Sequence, residues 1–113
     1  MQQTVMMLSS FASVTDAKTV ARELLQRGLV GCVSLLPQVL SLYHWQDELA
    51  ESSEVLVLMK TTADCAEALK EALLSSHPYD TPELLIWKAT ASEPYQQWLE
   101  QVVSGQGNDP KNQ

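Results

Sequence analysis

The strongest indication of the fold of this chain is the apolar segment Glu54-Val55-Leu56-Val57-Leu58-Met59-Lys60. Its apolar residues are consecutive rather than alternating, so a strand built from them has two faces that need cover. This strand is predicted to be the second arm of an apolar hairpin that spans Val30 to Thr61. In the first arm, Tyr43 and Trp45 share one face, because strand side chains repeat every two residues. We predict that the rest of the chain covers this hairpin or lines a cleft beside it.

The residues before and around the hairpin indicate a strand, a helix and an interrupted strand. Thr4 to Ser10 is an apolar run of strand length, and Ser13 has the position of a helix cap. Gly28 lies where that helix needs a residue in the left-handed conformation. Pro37 lacks a backbone N–H and therefore predicts a bulge or an edge position. The polar segment from Gln46 to Ser53 is predicted to turn the chain.

The second half of the chain predicts a helix, a strand and a last helix. The helix is expected from about Asp64 to Ser75, capped by Thr61 or Thr62 and ended before Pro78. The strand follows at residues 83–87. The last helix begins near Ser92, Glu93 and Pro94, with proline in its first turn. Its predicted buried face comprises Tyr95, Trp98, Leu99 and Val102.

This order of elements predicts an α+β fold of the ferredoxin-like βαββαβ type with an additional C-terminal helix. The expected single domain covers residues 1–103. The remaining residues, 104–113, carry no core residues and are predicted to be a disordered tail. A chain of 113 residues is of a length that suits one domain.

Charge and composition exclude several kinds of partner. The net charge is −7 and the seven basic residues are scattered, so we expect no nucleic-acid partner. No apolar stretch approaches membrane-spanning length, so we expect no membrane partner. Two cysteines, Cys32 and Cys65, are too few for a disulfide framework, and their context favours reduced thiols. We therefore expect a cytoplasmic protein.

The strands themselves predict an oligomer. Residues 5–8, 55–59 and 84–87 are apolar on both strand faces, whereas helices cover only one face of this sheet type. A bare second face would exceed the apolar surface that monomers tolerate, so either the terminal helix or another copy of the chain is expected to cover it. The long hairpin is also expected to reach or overhang the edge of the domain, which leaves backbone groups open to a partner strand. A homo-oligomer with sheets packed or extended across its interface is therefore expected.

Four ordered motifs resemble those of the CutA family, over most of the chain from Val5 to Leu99. They are Gly31-Cys32-Val33, Leu42-Tyr43-His44-Trp45, Leu58-Met59-Lys60-Thr61-Thr62 and His77-Pro78-Tyr79-Asp80-Thr81-Pro82-Glu83. The resemblance implies a homotrimer, similar in architecture to the PII regulatory proteins. It also implies a cytoplasmic role in tolerance of divalent cations, copper in particular, and no established catalytic activity. Copper or another divalent cation is thus a possible ligand, and no organic cofactor is expected.

His77 and Cys32 are the candidate metal ligands. His77 follows the second helix and is placed to reach a ligand, although it can equally serve as a helix-end residue. Cys32 is either a soft ligand or a small buried hydrophobe, and the fold can bring Lys60 near it. In the family, copper ligation is associated with a histidine pair and a first-strand cysteine. Ser76 and Ser9 occupy two of those positions here, and serine is a poor ligand for copper.

A second constellation predicts a ligand cleft or a subunit interface. It comprises Tyr43, Trp45, Lys60, Tyr79 and Glu83. Aromatic side chains with one cation and one anion suit a small-molecule cleft, but aromatics also mark subunit contacts. His44 is expected to face solvent. No motif of nucleophile, base and orienting residue can be identified, so we do not expect an enzyme. The alternative function is a PII-like regulator that binds a small metabolite or partner protein in the intersubunit cleft.

Overall fold

A computed structural model of the chain describes residues 3–103 and confirms the ferredoxin-like arrangement. Its elements are β1 (Thr4–Phe11), α1 (Val14–Gln26), β2 (Cys32–Trp45), β3 (Glu48–Thr62), α2 (Ala66–Ser76), β4 (Leu84–Ala89) and α3 (Glu93–Val102). The antiparallel strands form one sheet in the order β2-β3-β1-β4. The predicted tail at 104–113 lies outside the described residues, so the domain boundary stays a prediction. None of the helices within residues 3–103 has the length and apolarity to cross a membrane.

Helix α1 begins and ends as its sequence predicts. The Asp16 N–H donates to the Ser13 hydroxyl across 3.1 Å, which satisfies one of the open donors of the first turn. At the other end, Gly28 has a φ of 72°, and its N–H donates to the Leu25 carbonyl. Glycine adopts this left-handed conformation without the steric cost that a Cβ atom brings.

The central hairpin turns much more tightly than expected. The prediction that residues Gln46 to Ser53 form the turn is wrong: only Gln46 and Asp47 do so, with φ angles of 50° and 68°. Two consecutive residues with positive φ match the twist of the flanking strands, so a two-residue connection suffices. Glu48 to Ser53 continue β3 instead. The predicted bulge near Pro37 is confirmed by a shift in the pairing register between Leu36 and Val39.

The turn-proximal part of the hairpin extends beyond the sheet, which confirms the predicted overhang. Strand β1 pairs with β3 only as far as Phe11, opposite Val55. Residues 39–45 and 48–54 therefore pair only with each other and form a two-stranded ribbon. Large apolar side chains on this ribbon are exposed, including Leu42 at 70% and Leu49 at 81%. Such a ribbon is marginally stable alone in water and benefits from a further packing partner.

Helices α1 and α2 cover one face of the sheet. The core there includes Met7 and Phe11 from β1, Met59 from β3, Leu24 from α1 and Leu73 from α2. The opposite face, which we call the open face, carries six apolar residues from the alternate strand positions. These are Met6 and Leu8 from β1, Leu56 and Leu58 from β3, and Leu85 and Trp87 from β4.

Helix α3 buries a different set of residues from the one predicted. Leu99 is fully buried as expected, but Tyr95, Trp98 and Val102 are 37–43% exposed. Gln96 is buried instead, because its side-chain carbonyl accepts a hydrogen bond from the Thr4 hydroxyl. The predicted buried face of α3 is therefore wrong, in the single chain, for three of its four residues.

The predicted threonine cap of α2 is wrong. Cys65 occupies the cap position and makes no side-chain capping bond. The Thr61 hydroxyl donates to the Leu29 carbonyl across 2.7 Å, which ties β3 to the loop after α1. The Thr62 hydroxyl is buried and has no hydrogen-bond partner among residues 3–103. Cys65 is fully buried, as predicted for a core residue.

These neighbouring threonines provide a matched pair for a stability test. We expect Thr62→Val to raise the free energy of unfolding by about 1 kcal/mol, because it removes a buried hydroxyl that lacks a partner. Thr61→Val removes the hydrogen bond to the Leu29 carbonyl and should lower the free energy of unfolding by about 1–2 kcal/mol. Thermal midpoints measured at one protein concentration would show opposite shifts. A loss of stability in both variants would contradict the role assigned to Thr62.

Candidate ligand groove and the predicted metal residues

His77 is held in place by its neighbours on every side. It is 8% exposed, and its ring stacks on Phe11 with the ring centres 4.2 Å apart. One ring nitrogen, Nε2, lies 2.8 Å from the Ser10 carbonyl oxygen. The other, Nδ1, accepts the Tyr79 backbone N–H across 3.1 Å. Both nitrogens thus have protein partners.

These partners fix the tautomer of His77. Because Nδ1 accepts a hydrogen bond, it carries no proton, and Nε2 must donate to the Ser10 carbonyl. A metal ion needs a free nitrogen lone pair, and the one on Nδ1 is already used. His77 therefore does not fit the metal-ligand role in this conformation. It fits a structural role in which it positions the loop that begins at Pro78.

Cys32 lies in a different cluster. The Lys60 ammonium lies 3.6 Å from the Cys32 thiol and donates to the Ser34 hydroxyl across 2.7 Å. The prediction that the fold brings Lys60 near Cys32 is confirmed. All three side chains project from neighbouring strand positions on the open face, since Cys32 pairs with Lys60.

The two predicted metal residues do not form a common site within one chain. Lys60, the partner of Cys32, pairs with Met6, whereas His77 contacts Ser10, four residues further along β1. At about 3.3 Å per residue this separates the two clusters by roughly 13 Å. Within residues 3–103, no group of three His, Cys, Asp or Glu side chains is arranged to hold a metal ion.

Ser9 and Ser76, which the resemblance of the motifs assigns to copper-ligand positions, make other side-chain contacts in this chain. The Ser9 hydroxyl donates to the Glu83 carbonyl across 2.7 Å. The Ser76 hydroxyl lies 3.5 Å from a carboxylate oxygen of Glu23 on α1. The residues present thus do not fit a copper centre in a single chain, because two of the expected positions hold serines, Cys32 lies in another cluster and the His77 imidazole is engaged.

A groove of about 940 Å³ lies between the ribbon and the loop after α2. Of the residues predicted to form the cleft, Tyr43, Trp45, Tyr79 and Glu83 line it, and Lys60 does not. Lys60 lies near the opposite end of the sheet, beside Cys32. Two further acidic residues, Glu54 and Asp80, also line the groove and were not predicted from the sequence.

Signals for both missed residues exist in the sequence. Glu54 is separated by one residue from Leu56, so it shares the open face, but the predicted turn ended just before it. Asp80 lies inside the His77–Glu83 motif, between residues that had been selected. Neither residue was selected from the sequence, although Glu54 begins the predicted second arm and Asp80 lies within the motif.

The loop wall of the groove is positioned by bonds to β1. The Tyr79 backbone N–H is held by His77, and the two rings lie 4.7 Å apart. The Glu83 carbonyl is held by Ser9. Both anchors reach β1, where Ser10 itself lines the groove. The His77–Glu83 motif thus builds one wall of the groove.

The pKa of Tyr79 reflects the electrostatic environment of the groove. Burial of its phenol raises the pKa of Tyr79 above the ordinary value, and the Glu54 carboxylate raises it further. Both effects disfavour the phenolate, because it is poorly solvated and repelled by a like charge. Tyr79 therefore presents a neutral hydroxyl at physiological pH.

Comparison with known proteins places the chain in a family. Residues 5–102 match the family described as CutA1 divalent ion tolerance protein. The divalent-cation tolerance protein CutA of Citrobacter koseri is 38% identical over 98 residues, which cover 86% of this chain and 85% of that protein. Human protein CutA is 38% identical over 88 residues, 77% of this chain. The match spans only 49% of the human protein.

Solved structures agree with this placement. CutA from Synechococcus elongatus has a TM-score of 0.86 at 32% identity, covering 92% of this chain and 93% of that chain. The divalent cation tolerance protein from Thermus thermophilus has a TM-score of 0.83 at 33% identity, covering 89% and 99%. A more distant relative from Archaeoglobus fulgidus, 20% identical with a TM-score of 0.84 over 89% and 99% of the two chains, is described as periplasmic. On the family match across nearly all described residues, this chain belongs to the CutA1 divalent ion tolerance protein family.

Proposed function

We propose that this chain forms a cytoplasmic homotrimer that contributes to tolerance of divalent cations, copper among them. The observation that carries the proposal is the exposed part of the open face, at Leu85 and Trp87, in a chain of this family; α3 covers the end of that face at Thr4. The family description supports the tolerance role. The number of subunits, the compartment and copper follow from the resemblance of the motifs.

The open face gives the physical reason for association. Leu85 and Trp87 are 53% and 42% exposed on β4, and Leu8 and Leu58 lie beside them on the neighbouring strands. Packing this face against other copies removes apolar surface from water at about 25 cal/mol for each Å². The exposed apolar side chains of the ribbon would gain a partner in the same way.

Metal binding by His77 and Cys32 is not part of this proposal, because the two lie apart and His77 is engaged. The tolerance role therefore needs no single-chain metal centre. It is compatible with a protein that senses a ligand or a partner and acts on cation handling indirectly. The family description names tolerance and not a reaction, so no catalytic step is proposed.

Growth in copper tests the role directly. The chain would be expressed in a bacterial strain whose own CutA gene has been deleted, and growth measured at rising copper(II). We expect restored growth relative to the empty vector. The particle mass from light scattering should be three times the 12.5 kDa of one chain. Equal growth with and without the chain would contradict the tolerance role, and a mass of one chain would contradict the trimer.

A second candidate function is that of a PII-like regulator that binds a small molecule. The groove between the ribbon and the α2–β4 loop favours it, because the volume and the convergent polar groups suit a small ligand. This function and the tolerance role can belong to one protein, since ligand binding would be the signal and tolerance the result.

A further inference from the structure

We infer that the groove is one half of a site shared between subunits, and that Lys60 of the partner subunit supplies the other half. Across the subunit boundary, the ammonium group of that lysine faces the groove carboxylates, Glu54 among them. The inference rests on the homotrimer and the small-molecule function proposed above. It names a second copy of this chain as the partner that completes the site.

In one chain the groove carries negative charge with no cation to balance it. Glu54 on β3 and Asp80 and Glu83 in the loop after α2 line it. Among the described residues that line the groove, none is a lysine or an arginine. Carboxylates gathered in one groove repel each other, so a cation from another chain stabilises them.

Lys60 has the opposite deficit. Its ammonium donates to the Ser34 hydroxyl across 2.7 Å and lies 3.6 Å from the Cys32 thiol, and neither partner is a carboxylate. The ion pairs found within residues 3–103 do not include Lys60. Lys60 lies on the open face, which the proposed trimer packs against other copies. Burial of an ammonium without a counter-ion is costly, so packing of that face favours an arrangement that gives Lys60 a carboxylate.

The two charged patches lie at opposite ends of the same face and cannot meet within one chain. Glu54 and Lys60 are both on β3 and project from the same side, because an even number of positions separates them. Six positions of a strand span about 20 Å, whereas an ion pair needs about 4 Å between its charged atoms. Lys60 therefore leaves the groove carboxylates of its own chain unpaired.

A threefold ring brings different patches of neighbouring copies together. Each interface in such a ring is head-to-tail, so every copy presents one patch to one neighbour and a different patch to the other. The groove end and the Lys60 end of the open face are two such patches, with opposite charge. The same contact brings the ammonium to the rings of Tyr43 and Trp45, whose faces attract a cation. The five residues that the sequence grouped into one cleft then belong to one site, which no single chain assembles.

Removal of one carboxylate tests the inference by the sign of its effect. In a groove without a cation, Glu54→Gln relieves repulsion between like charges and leaves the thermal midpoint unchanged or higher. In the shared site it deprives Lys60 of the partner subunit of a counter-ion, and we expect the midpoint to fall by at least about 4 °C. Glu51→Gln is the matched control, since it removes the same charge from the same strand at a residue that does not line the groove. It should change the midpoint by less than about 2 °C.

A double-mutant cycle then identifies the partner of Glu54. Lys60→Gln should also lower the midpoint, and the variant with both Lys60→Gln and Glu54→Gln should lose no more than the larger single loss, because both changes remove the same pair. Residues about 20 Å apart that do not interact give additive losses instead. Lys88→Gln with Glu54→Gln is the matched control, because Lys88 is an exposed lysine on the helix-covered side of β4. The losses of that pair should add.

The outcomes separate the shared site from the functions on which it rests. A midpoint that is unchanged or higher in Glu54→Gln, or additive losses for Lys60 and Glu54, would overturn the shared site. If light scattering still showed three chains, the trimer would stand. A native mass of one chain, 12.5 kDa, would overturn the trimer and the shared site together. Growth in copper reports the tolerance role separately from both.

Discussion

Replacing His77 by alanine is expected to lower the free energy of unfolding by about 3 kcal/mol. The variant loses the stack on Phe11 and leaves a cavity, and it deprives the Ser10 carbonyl and the Tyr79 N–H of their side-chain partner. Chemical denaturation at one protein concentration measures the change. The affinity for copper(II), measured in a competing buffer ligand, should be unchanged.

The chain contains its own control for this experiment. His44, the other of its two histidines, is exposed on β2, so His44→Ala should change stability by less than about 0.5 kcal/mol. His77→Phe keeps an aromatic ring beside Phe11 and should lose less stability than His77→Ala. A specific copper site lost in His77→Ala, with stability unchanged, would restore the metal interpretation and contradict the structural one.

His77→Ala should also affect the groove at a distance. The Tyr79 N–H would lose its acceptor, and the loop wall would be less well ordered. We therefore expect faster amide hydrogen exchange at Tyr79 in this variant than in the native chain, and no change in His44→Ala. His77 is a positioning residue in this respect, since it does not line the groove.

Leu85→Asp is expected to convert the trimer to single chains. Leu85 lies on β4 opposite Leu8 and is 53% exposed in the single chain, so the folded subunit tolerates a polar residue there. Within a packed interface the same carboxylate would be buried without a partner, which costs several kcal/mol in each subunit. Light scattering should show the mass fall to 12.5 kDa, one chain.

Leu25→Asp is the matched control for the interface. Leu25 is a leucine of similar exposure, 42%, on α1 and away from the open face. It should leave the mass at three chains. The same pair of variants can be tested for growth in copper, where we expect Leu85→Asp to fail and Leu25→Asp to succeed. A trimeric Leu85→Asp protein would show that the open face is not the interface.

The predicted cleft shows which residues of a site can be grouped correctly from sequence patterns and which cannot. Period-two spacing placed Tyr43 and Trp45 on one face correctly, because that depends only on backbone geometry. Lys60 was grouped with them on its position at the end of a strand. The register of β2 with β3 instead pairs Lys60 with Cys32, far from the turn. Which strand ends meet is a property of the register, which local sequence does not specify.

Local sequence suffices to predict the order of the elements, the α1 cap at Ser13, the left-handed Gly28 and the bulge beside Pro37. Each follows from the conformational limits of one residue or its nearest neighbours. Three other features could not be predicted in this way: β1 engages His77, Gln96 replaces Tyr95 in the core, and carboxylates line the aromatic groove. These depend on contacts between residues up to 92 positions apart, as in the bond from Thr4 to Gln96.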